Sequence, residues 1–207
     1  MRSKHACNTP PPTFIGRARR EQLIEATISV VAEQGYTGAS LAKVAKHASV
    51  SKSVVLYHFR NKNELVEATV RQIYEEIWNF VRPSFEAQTS AKGQLAAFIE
   101  SEFAYMQDHR DRLLTVSYLL LNHRDSTGSL SLMYRGESEL MEALAGILEY
   151  GQANGEFRAF AIKPMATTLT HAINGALRQW LSDPSLSLTE YARELVTLFE
   201  LATRKST

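Results

Sequence analysis

A helix over residues 52–57 sets Lys52, Ser53, Val54 and Tyr57 on one exposed side and leaves Val55, Leu56 and Phe59 for a core. An ammonium, a hydroxyl and a phenol on one short face are donors that suit phosphate oxygens and the base edges of a DNA major groove. Ser51, just before that helix, is an N-cap residue whose turn also offers backbone N–H groups to a phosphate. Chemistry of other kinds is missing. The sequence has no G-x-S-x-G, H-E-x-x-H, G-x-G-x-x-G or phosphate-loop pattern, and a single cysteine, Cys7. His109, His123 and His171 fall in different helical stretches without an i, i+4 ligand pair. The carboxylates Glu75, Glu76, Glu100 and Glu102 read as solvent faces of amphipathic helices rather than as an acid/base pair. No enzyme, metal or cofactor is expected.

The elements that must position this face are helical throughout. Leu23, Ile24, Ile28, Val31 and Ala32 recur at helical spacing, and Gly35 is expected to end that helix. Ser40 caps a second, short helix that places Leu41, Val44 and Ala45 on one face. Ala45 is small where a following helix must cross closely, and Val50 is apolar in the turn. The result is a helix-turn-helix over residues 40–57. Asn61 then opens a long helix running to Pro83. Further helices are expected over residues 91–107, 111–122, 129–152, 165–181 and 188–202, with Asn154-Gly155 and Asp183-Pro184 as stops. No stretch alternates as a strand would. The expected fold is all-α: a three-helix head on a larger helical body, about nine helices in all, with a mobile arm over 1–16, the head over 17–62 and the body over 63–207.

Charge separates the same two parts. Residues 1–65 hold ten Lys and Arg against four Asp and Glu, a balance of +6; the remainder holds thirteen against eighteen, −5, and together they make the +1 of the 207-residue chain. A basic first third on an acidic remainder fits a head that meets a polyanion. With 44% apolar and 22% charged residues the composition is that of a globular protein, and no run reaches the ~20 apolar residues that span a bilayer. A cytoplasmic location without membrane association is expected.

The run Gly35-Tyr36, Ser40 to Lys52, then Leu56-Tyr57-His58-Phe59-Arg60-Asn61-Lys62-Asn63-Glu64-Leu65 resembles the DNA-binding domain of TetR-type transcriptional regulators, over about residues 17–66. The resemblance implies a homodimer that binds a palindromic double-stranded operator through its heads. It also implies a body that takes a small-molecule effector and dimerises through the last two helices. On matching positions, the resemblance implies that Tyr57, His58 and Lys62 touch phosphate, that Lys52, Ser53 and Val54 face bases, and that Ser40 anchors the backbone. Arg17, Arg19 and Arg20 reach a phosphate or the minor groove, or form a solvated arm. Two positions depart from the pattern. Ser49 stands where the turn usually has Gly, at about 1 kcal/mol if its φ is positive, and Leu56 replaces an aromatic.

For the body, Phe98, Phe103, Met106, Tyr118, Asn122, His171 and Asn174 are the candidate lining of an effector pocket, mostly apolar with a few polar anchors. That lining favours an apolar or aromatic effector. Leu169, Ile173, Leu177 and Trp180, with Leu195 and Phe199, are the candidate dimer interface, since two such helices from each copy make a four-helix contact. A ligand-released repressor is the preferred reading. The rivals are a constitutive architectural DNA binder and a helical enzyme or scaffold without DNA binding.

Overall fold

Side-chain caps decide where most of the helices start. The oxygens of Ser40, Ser51, Asn61, Ser90 and Ser187 accept the backbone N–H groups of Lys43, Val54, Glu64, Gly93 and Glu190, each satisfying a donor that a helix leaves open. The computed structural model describes residues 14–122 and 138–205. Within them lie nine helices: α1 (Phe14–Gly38), α2 (Leu41–His47), α3 (Lys52–His58), α4 (Lys62–Glu86), α5 (Ala91–Asp108), α6 (Arg110–Asn122), α7 (Ser138–Ala153), α8 (Ile162–Ser182) and α9 (Leu188–Thr203). Among the described residues the sole extended pairing is one bridge between Phe157 and Arg204.

Three boundaries differ from expectation. The arm ends earlier than residue 16, because α1 is already helical from Phe14; residues 1–13 lie outside the described residues. Gly35 does not end α1 but breaks it, at φ 68° and ψ 175°, and the helix resumes to Gly38. The helix expected over 129–152 is described from Ser138, and residues 129–137, like His123, lie outside the described residues.

In the head, α1, α2 and α3 close over Leu23, Ile24, Val44, Ala45, Val55 and Phe59, all buried. The turn between α2 and α3 is fixed by backbone. Ser49 N–H donates to Lys46 C=O and Val50 N–H to Ala45 C=O, a paired closure that puts Ser49 at φ 55°. Ser49 therefore does carry the left-handed strain that Gly would avoid. In the body, α5 is the central helix, packed against α4, α7, α8 and α9, while α6 lies against α1. Phe157 seals the end of α7 by lying directly on Gly151, where an added Cβ would stand 2.1 Å from the ring.

Candidate functional site

The outer side of α3 is built from what its inner side leaves out. Only Val55 and Phe59, one turn apart, reach the core, and Phe59 is fully enclosed. Lys52 and Ser53 are exposed, Val54 is half-buried, and Tyr57 is 86% exposed. Leu56, expected inside with its neighbours, is 43% exposed. The inward arc of a seven-residue helix is too narrow for three consecutive side chains. Ser51 and Ser53 share a hydroxyl contact of 2.7 Å above the start of α3, and Ser40 stands exposed at the start of α2. Lys52, Ser53, Leu56 and Tyr57 thus form a protruding edge.

Several basic groups behind that edge are directed into the head. Lys62 Nζ donates to Tyr36 C=O at 3.1 Å and lies 4.1 Å above the Tyr36 ring; its burial pulls its pKa down from the ordinary lysine value. Without DNA the Lys62 ammonium is engaged with Tyr36. Arg20 lies 4.2 Å over Phe59 and donates to the carbonyl of His58, which ends α3. Arg19 donates to Gln22, whose amide in turn donates to Ala48 C=O in the turn. The imidazole of His58 meets Tyr57 edge-on at 5.0 Å and is held below the usual histidine pKa, first by burial, then by Arg20 and Arg19. Arg17 remains exposed.

A second feature lies in the body. A cavity of about 260 Å³ opens between α4, α5, α6, α7 and α8. Its walls include Tyr74, Ile77, Phe98, Met106, Leu113 and Val116, and its polar groups are Glu102, Ser117, Thr170, His171, Asn174 and Arg178. Of the expected lining, Phe98, Met106, His171 and Asn174 are brought together here. Phe103, Tyr118 and Asn122 are not. Phe103 faces away and stacks with Tyr191 of α9 at 6.4 Å, Tyr118 is exposed, and Asn122 turns its amide back to the Tyr118 carbonyl. They share helices with the lining but project at other angles.

The expected dimer residues also take another role. Leu169, Ile173 and Trp180 of α8, with Leu195 and Phe199 of α9, are buried within the single chain, while Leu177 is half-buried and lines the cavity. The broadest apolar stripe of each helix goes to the core of its own chain. Away from the buried stripes lie Gly175 on α8, with the half-buried Ala172 at the stripe's edge, and Leu198 and Leu201, each 57% exposed, on α9. A Cβ built on Gly175 meets nothing within 4 Å, so that side of α8 is open.

With the geometry in view, the chain can be set beside known proteins. The family profile described as bacterial regulatory proteins, tetR family, matches residues 23–69. Residues 23–69 are therefore similar to the TetR family's members. The HTH-type transcriptional regulator BetI of Cronobacter sakazakii is 37% identical over 93 residues, 44% of this chain and 46% of the relative, so the match spans less than half of that protein. The fold likeness runs further. The fatty acid degradation regulator FadR of Bacillus halodurans superposes with a TM-score of 0.78 at 18% identity, over 92% of this chain and 96% of its own. FadR of Bacillus subtilis, solved in complex with stearoyl-CoA, gives 0.78 at 21% identity over 86% and 96%. The whole chain therefore has the fold of these structures: a helix-turn-helix head and a helical body. No helix among the described residues is long and apolar enough to cross a membrane.

The head is tied to the body by contacts that the sequence reading did not single out. Arg112 of α6 pairs with Glu25 of α1 at 2.9 Å and with Glu76 of α4 at 2.5 Å. Gln72 donates to both carboxylates. Burial alone would lower the pKa of Arg112, but its hydrogen bond and charge contact with Glu76, and Glu25 beside it, raise it. Nearby, Thr115 donates to Ile28 C=O of α1 at 3.2 Å, fully buried. The available signal was the charged opening of α6, Arg110-Asp111-Arg112, ahead of a mostly apolar stretch.

Proposed function

We propose that the chain is a homodimeric transcriptional repressor that binds a palindromic operator through α3 and is released by a small-molecule effector held in the body cavity. The observation that carries this reading is the double role of α6. Its residues Leu113, Val116, Ser117 and Leu120 wall the cavity, while its residues Arg112 and Thr115 grip α1 of the head. A ligand that displaces α6 must therefore move α1 or break that grip. Two heads that read successive major grooves have to sit about 34–36 Å apart, and a shift of a few Å weakens binding. The relative named as a transcriptional regulator supports the reading. Regulation rather than catalysis, in the cytoplasm, follows as part of it.

In this reading residues 17–62 act as the reading head and residues 63–207 as the receiver. Lys52 and Ser53 face base edges, with Val54 beside them, and Tyr57 and the helix start at Ser51 meet phosphate. The copies join through the outer sides of α8 and α9, around Ala172, Gly175, Leu198 and Leu201. Small residues on α8 let a second backbone approach closely. A gel shift with the DNA upstream of the protein's own gene, with and without candidate effectors, tests the proposal. Binding that no effector alters favours the architectural rival, and no binding at all refutes the reading.

A further inference from the structure

The polar groups of the cavity are not equivalent. Glu102 and Asn174 already have interactions of their own. Arg178 and His171 line the same cavity, lie seven residues apart on α8 and so share one side of it, and neither side chain has a partner among the described residues. The cavity's cation without a partner is therefore Arg178, on the α8 side, facing walls of Ile77, Phe98, Met106, Leu113 and Val116. The space also sets a size. A cavity of about 260 Å³ lies near the lower end of small-molecule sites.

From this we infer that the effector is a compact apolar acid, whose carboxylate is held by Arg178 with His171 beside it and whose apolar body fills the space between α4, α5 and α6. This deepens the effector reading above and rests on it. A guanidinium offers two parallel N–H donors to one carboxylate. A neutral ligand of the same shape leaves Arg178 without that bond. A cation of the same shape gains no bond from Arg178.

Isothermal titration on the full chain tests this with octanoate and phenylacetate, set against octanamide and octylammonium of similar size and against stearoyl-CoA. The expected result is binding of at least one acid, at least about tenfold tighter than octanamide or octylammonium. Arg178→Gln should abolish that preference while leaving octanamide unchanged, and Arg178→Lys should restore part of it. Arg178 is exposed, so melting curves of the variants should match the parent. Equal binding of acid and amide, a preference untouched by Arg178→Gln, or binding of stearoyl-CoA alone would overturn the inference, and so would no binding by any probe. A gel shift on the same samples separates the two claims. An acid that binds through Arg178 yet leaves DNA binding unaltered supports the ligand class and refutes the release mechanism.

Discussion

The head and the body place their reactive groups on opposite sides of their helices. In the head the core is small and filled, with Phe59 fully enclosed, and the groups suited to recognition, Lys52, Ser53 and Tyr57, project into solvent. In the body α5 is wrapped by four helices, and the corresponding groups line an internal space of about 260 Å³. A filled core with an outward edge makes a rigid stamp. A core that contains a void can rearrange around a ligand, because the lining side chains lack packing partners on one side. The contact between α6 and α1 is where the two behaviours meet.

Removing one large side chain from each region probes that contrast most strongly. Phe59→Ala should cost about 3–5 kcal/mol, as an enclosed ring under Arg20 is deleted. Met106→Ala, beside the existing cavity, should cost about 2 kcal/mol and enlarge the effector space. Urea denaturation of both variants reads the difference; equal costs would mean that the body is as tightly filled as the head.

The outward faces give the next two tests. Lys52→Ala should lose ~1–3 kcal/mol per half-site on the operator and relax preference at one position, as read by anisotropy on specific and scrambled DNA. Equal losses on both DNAs would reassign Lys52 to the backbone. Charging the outer side of α9 with Leu198→Glu and Leu201→Glu should bring the mass in light scattering down to about the 23.2 kDa of one chain and weaken operator binding at least about tenfold, ~1.4 kcal/mol. A dimer that persists would move the interface elsewhere.

Breaking the link between the regions should have a smaller effect on stability and a larger one on regulation. Arg112→Gln should cost about 1–2 kcal/mol, since its pairs are partly solvated, yet reduce effector release of DNA while operator affinity stays near the parent value. Unaltered release would exclude α6 as the route.

Acid should separate the regions as well. His58 in the head and Glu156 in the body both have depressed pKa values. Glu156 is depressed by accepting the Lys92 N–H at the start of α5, with the Ala91 N–H and the Asn154 amide adding to it, against some burial. For each group the unfolded chain binds more protons in the window between the two pKa values, so its contribution is present at higher pH and lost as pH falls through the folded value. The His58 contribution declines below about 6.5, and that of Glu156 only below about 4.5. The head should therefore soften first on acidification. His58→Gln should flatten the upper step in a plot of melting temperature against pH, and Glu156→Gln should cost about 1 kcal/mol near neutrality.

Local patterns made the head legible. Ser40, Ser51 and Asn61 act as caps within three residues of the N–H groups they serve, and the register of Val55 and Phe59 is set by one helical turn, so neighbours in the chain suffice to place them. The strain at Ser49 was legible for the same reason. Leu56 was misplaced because how wide an arc a short helix buries depends on how closely α1 approaches it.

In the body, the helices and their apolar stripes followed from periodicity alone, since burying one face is the only way such a segment is stabilised in water. Which partner covers a stripe did not follow. Phe98 and Phe103 sit on one helix with similar burial, yet one borders the cavity and the other stacks on Tyr191. The stripe of Leu169, Ile173 and Trp180 looks the same whether a second copy or the same chain buries it. Likewise the pairing of Arg112 with Glu25 joins residues 87 positions apart. Caps, turns and helical faces are short-range and were determined by the sequence itself; the cavity, the α6–α1 grip and the choice of buried partner arise from long-range packing, and only the tertiary structure decided them.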